Sequence, residues 1–94
     1  MSGDVGGIAD LEKLAAELDG EAFKATLMTV AGRRPCIRVV NREAVMLGEY
    51  IYAAAAGDQQ WWFWFGWAER IAPVADVAAA ARKIERVLHA VGTR

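Results

Sequence analysis

The chain has 94 residues, enough for one domain around one core, and 55% of them are hydrophobic. Its formal net charge is −1, so no global basic field draws in nucleic acid or an anionic membrane. The single cysteine, Cys36, excludes an internal disulfide and fits a reducing compartment. The start MSGDVGGIAD has neither the basic nor the apolar region of a signal peptide, and no apolar run reaches the roughly 18 residues of a membrane span. A soluble, cytoplasmic protein is expected.

Residues 1–7 include three glycines and read as a flexible tail, which leaves 8–94 as a single α+β domain. Ile8, Leu11, Leu14, Ala15 and Leu18 recur at helical spacing, with Asp4 placed to cap the start. Gly20 stands where a helix-ending residue of positive φ is expected. From Phe23 the period becomes two: Phe23, Ala25 and Leu27 alternate with Lys24, Thr26 and Met28. Gly32–Arg34 reads as a three-residue hairpin loop, and Pro35 opens a second strand that runs to Asn41. A polar turn follows, then a third strand over Met46–Ala54. Gly57–Asp58 reads as a two-residue hairpin loop leading into Trp61–Trp67, which holds all four tryptophans and two of the three phenylalanines.

Ala72–Pro73 is expected to end the sheet, because proline donates no ladder hydrogen bond. In the last segment Val77, Ala80, Ala81, Ile84, Val87, Leu88 and Val91 line one helical face, opposite Arg82, Lys83, Glu85, Arg86 and His89. Asp76 suits the helix start and Gly92 its end. The predicted fold is an α+β two-layer sandwich, α-β-β-β-β-α, a four-stranded antiparallel meander with both helices on one face.

The three loop choices set a register. They pair Leu27 with Val39, Thr29 with Ile37, Arg38 with Leu47, Trp64 with Ile51 and Trp62 with Ala53. One face then carries Phe23, Ala25, Leu27, Ile37, Val39, Tyr50, Tyr52, Phe63 and Phe65, free of charge and suited to cover by the helices. The other carries Trp62, Trp64, Ile51, Met28 and Val40 as an apolar centre, with Lys24, Arg38 and Glu49 around it. This helix-free face is the candidate interface or ligand face. A three-residue loop at Gly57 would exchange Trp62 and Trp64 for Phe63 and Phe65 there.

Catalytic chemistry is thinly represented. His89 reads as a surface histidine, and Cys36 as a small buried hydrophobe. One histidine and one cysteine do not make a zinc site without unusual carboxylate help, and phosphate-loop and dinucleotide fingerprints are absent. No cofactor or metal is expected. Arg33, Arg34, Arg38 and Arg42 cluster on the second strand and its turns, where they either rim a stacking platform with Trp62 and Trp64, or Arg33 and Arg34 are solvated turn residues and Arg38 pairs with Glu49. Glu69 beside the indoles is a candidate acid of raised pKa, with a structural tie to Arg70 as the plainer reading.

The stretch Trp67, Ala68, Glu69, Arg70 and Ile71, following the tryptophan-rich strand, resembles a mark of a group of small proteins from high-GC actinobacteria. The run from Pro35 to Asn41 and the alanine-rich last helix are similar to that group as well. The resemblance spans roughly Pro35–Leu88. It implies a shared fold and a bacterial cytoplasmic setting, and carries no activity with it. The expectation is a non-enzymatic homodimer or protein-interaction module using the helix-free face. The alternative is a flat small-molecule ligand or single-stranded nucleic acid on the same aromatic and arginine surface.

Overall fold

The structure, a computed structural model, describes residues 7–92. Apart from Gly7, the expected tail lies outside them, as does Asp4. Helix α1 (Ile8–Leu18) is followed by strands β1 (Phe23–Met28), β2 (Cys36–Asn41), β3 (Ala44–Ala55), β4 (Trp61–Phe65) and β5 (Arg70–Pro73), then helix α2 (Val77–Gly92). The strands form one five-stranded antiparallel meander in sequence order. The α+β class and the meander agree with expectation, and the count of four strands does not. β5 was hidden by its proline. At the sheet edge, Pro73 ends the strand opposite Trp62, and Val74 takes over as donor to the Trp61 carbonyl at 3.1 Å.

Both helices cover one face of the sheet. Leu11, Leu14 and Leu18 of α1 and Ala80, Ile84 and Leu88 of α2 pack on Ile37, Val39, Ile51, Phe63 and Phe65 in one continuous core. Helix α1 starts at Gly7, whose φ of +75° suits glycine, and a Cβ there would stand 2.7 Å from that of Ala53. The helix ends differently from expectation. Asp19 is extended, its N–H still bonded to the Ala15 carbonyl at 2.8 Å, and Gly20 takes no positive φ. Asp76 caps α2, its Oδ1 accepting from Ala79 N–H at 3.1 Å.

The register departs from expectation at each of the three expected hairpins. β1 and β2 pair Leu27 with Ile37, two places from the expected partner, through a connection longer than Gly32–Arg34. Each side chain there keeps its expected face, since a shift of two preserves parity. Between β2 and β3 a bulge at Val40/Asn41 sets Arg38 opposite Tyr50 and not Leu47. Buried Asn41 holds that turn: its Oδ1 accepts from Glu43 N–H at 2.9 Å and Ala44 N–H at 3.2 Å. The Gly57 loop has three residues, closed by Ala56 N–H to the Gln60 carbonyl at 2.8 Å, with Gln59 at φ +69°.

Each of the last two shifts reverses parity, so β3 is inverted while β4 returns to its expected orientation. Ile51 and Ala53 point into the core, and Tyr50 and Tyr52 point to the helix-free face. Ile51→Ala is therefore expected to cost about 2–5 kcal/mol, as deletion from a filled core does. Tyr50→Ala should cost less than about 1 kcal/mol, both read by urea denaturation. The opposite ranking would contradict the observed parity of β3.

Candidate functional site

Phe63 and Phe65 are fully buried beneath the helices, so alternation along β4 sends Trp62 and Trp64 to the helix-free face. Trp64 lies opposite Tyr52 and Trp62 opposite Ala54. With Tyr50 they form an aromatic strip along the two strands β3 and β4. Trp64 is fixed by its indole N–H, which donates to the Ala54 carbonyl at 3.1 Å. The Trp62 indole nitrogen is out of solvent without an acceptor among the described residues.

Cations lie on these rings. The Arg70 guanidinium sits 4.5 Å from the Trp62 ring centre and 6.0 Å from that of Trp64. Arg38, on β2, stands 5.8 Å from the centre of the Tyr50 ring. Lys24 adds a further positive charge on β1. Among the strand positions of this face, read from the register, none is acidic.

Of the expected face residues, Trp62, Trp64, Met28, Val40 and Arg38 share the helix-free side. Ile51 and Glu49 do not. Ile51 is wholly buried in the core, and Glu49 pairs with core residue Val39, which puts it on the helix-bearing side. Both corrections follow from the bulge. Tyr50, Tyr52 and Arg70 are the additions, Arg70 having been missed because β5 was.

Arg42 leaves the arginine cluster. Its Nε donates to the Gly20 carbonyl at 2.6 Å, and its Nη2 lies 3.6 Å from Asp19, clasping the β2–β3 turn to the end of α1. Glu69 is not an acid of raised pKa. The Trp67 indole N–H donates to its Oε1 at 3.0 Å and holds its carboxyl below the usual carboxylate range, with Lys83 adding to the effect from 3.6 Å. Trp67 also stacks on Phe65, with ring centres 4.4 Å apart, so this indole closes the end of the core.

At one end of the face the β1–β2 connection overhangs a depression of about 490 Å³, lined by Met28, Val30, Arg33, Arg34, Cys36, Tyr50 and Tyr52. Cys36 is buried as expected, with Tyr52 beside it in the lining of the depression. Burial pushes the Cys36 thiol above its usual range, and the neighbouring Tyr52 hydroxyl opposes the shift. Arg34 Nη1 donates to the Ala53 carbonyl at 3.4 Å, beside Pro35, which has no N–H to offer.

Among the described residues no group of three or more His, Cys, Asp or Glu side chains is placed to hold a metal ion. The His89 side chain lies outside the description. No described helix is long and apolar enough to cross a membrane. Compared with protein-family models, with curated proteins and with solved structures, the chain matches none.

Burial pushes the Glu49 carboxyl above the usual carboxylate range. A carboxyl whose pKa is higher folded than unfolded favours the fold in acid, and that contribution is lost as pH rises through the raised value. Glu49→Gln should therefore be more stable than the native chain at neutral pH, with the difference closing in acid. Urea denaturation at the two pH values reads this, and a variant less stable at neutral pH would contradict it.

Proposed function

We propose that the chain is a non-enzymatic, cytoplasmic protein-interaction module whose helix-free sheet face docks an acidic segment of a partner protein that also carries apolar or aromatic side chains. The observation that carries this reading is the composition of the face: tryptophan and tyrosine rings, Lys24, Arg38 and Arg70, and no acidic strand position. Aromatic and arginine side chains are the groups that dominate binding at protein interfaces. Uncompensated cations select a partner of opposite charge and repel one of like charge.

The same composition weighs against a second copy. Two such faces packed symmetrically would set the Lys24, Arg38 and Arg70 charges of one copy against the same set on the other, a like-charge juxtaposition without strand carboxylates to relieve it. With Glu49 on this face, as the sequence suggested, the rim would have been self-complementary. Single-stranded nucleic acid is the second reading, favoured by guanidinium groups lying against indole rings.

The test is calorimetric titration with a synthetic peptide alternating glutamate and phenylalanine, against its lysine counterpart and oligo(dT). The acidic peptide should bind alone, more weakly as salt rises, with Arg38→Gln and Trp64→Ala each weakening it about tenfold or more. Equal binding of the lysine peptide would overturn the reading. Tighter binding of oligo(dT) would move the function to nucleic acid, and a concentration-dependent dimer dissociated by Trp64→Ala would move it to self-association.

A further inference from the structure

We propose that the depression beneath the β1–β2 connection is a binding pocket for a small aromatic oxyanion, a planar ring bearing a carboxylate or a phosphate. Its volume of about 490 Å³ falls within the roughly 300–1,000 Å³ of small-molecule sites. Tyr50 and Tyr52, two places apart on β3, project to one side and offer ring surface for stacking. Met28 and Cys36, opposite each other on β1 and β2, supply apolar contact.

The charge is concentrated in two adjacent guanidinium groups. Arg34 is anchored to the Ala53 carbonyl, which holds its fork beside the tyrosines. Arg33 lines the same depression as Tyr52. No carboxylate lines the depression, and neither arginine makes an ion pair among the described residues. A carboxylate or phosphate matches the guanidinium fork, with two parallel hydrogen bonds possible to each.

The class of guest follows by exclusion. A cation is repelled by both arginines, a neutral ring leaves them without a counter-charge, and a bare anion makes no use of the tyrosines. This inference shares Tyr50 and Tyr52 with the docking reading but rests on different cations: Arg33 and Arg34 are outside the tryptophan half of the face, and separate variants report on each.

The experiment is an NMR titration of the intact protein with 4-hydroxybenzoate and with phenyl phosphate, against neutral 4-hydroxybenzamide and inorganic phosphate. One or both ringed anions should bind saturably, with shifts centred on Tyr50, Tyr52 and Cys36, and the tighter of the two identifies the oxyanion. Arg33→Gln, on an exposed connection, should weaken that binding about tenfold without lowering the melting temperature. Trp64→Ala should leave it unchanged, and occupancy should slow alkylation of Cys36 by N-ethylmaleimide. The pocket is refuted if the amide binds as well as the acids, if Arg33→Gln binds like the native chain, or if the shifts map elsewhere.

Discussion

The structure depends on the alternation of side chains along β4. Five consecutive aromatic residues cannot all be covered by two short helices, and the strand's period of two divides them. Phe63 and Phe65 go beneath α1 and α2, where their full burial anchors the core. Each contributes on the order of 2–3 kcal/mol of hydrophobic stabilisation. Trp62 and Trp64 are thereby obliged to face the other way, whatever their function. The burial of the phenylalanines and the display of the tryptophans are one event.

Charge is sorted by the same sheet. The chain as a whole is slightly acidic, yet the charged strand positions of its helix-free face are all cations. Its described ion pairs lie elsewhere, at Asp19–Arg42 and Glu69–Lys83, where they tie turns to the end of α1 and to the middle of α2. Surface pairs of this kind add little stability, though they fix the direction in which the chain enters and leaves the sheet. The net charge therefore says nothing about the face. Segregation leaves Arg38 and Arg70 to the aromatic rings, at distances where cation and π-system attract.

Most of this was legible in the sequence, and the exceptions have physical causes. Helical spacing marked both helices, and alternation marked the faces of β1, β2 and β4 correctly. β3 was misread because Tyr50, Ile51 and Tyr52 are all apolar enough to sit on either face, so its pattern does not choose between parities. Two loop geometries had to choose instead, and both differed from the simplest reading. The bulge near Asn41 and the αL residue Gln59 each shift parity once, which moves Ile51 and Glu49 away from the site and brings in Tyr50 and Tyr52. The two errors cancel on β4, so Trp62 and Trp64 were placed rightly for reasons that were partly wrong. β5 was lost because a proline that ends an edge strand reads in sequence like a proline that prevents one.

The central claim is that the Trp62 and Trp64 side of the sheet is a cationic surface open to an anionic partner. It is tested most directly by fluorescence quenching in a Trp61→Phe, Trp67→Phe background, where only Trp62 and Trp64 emit. Iodide, an anion, should quench this emission more strongly than caesium, with the preference fading as inert salt is added and unchanged by protein concentration. Equal quenching by the two ions, or protection from both that grows with protein concentration, would contradict it.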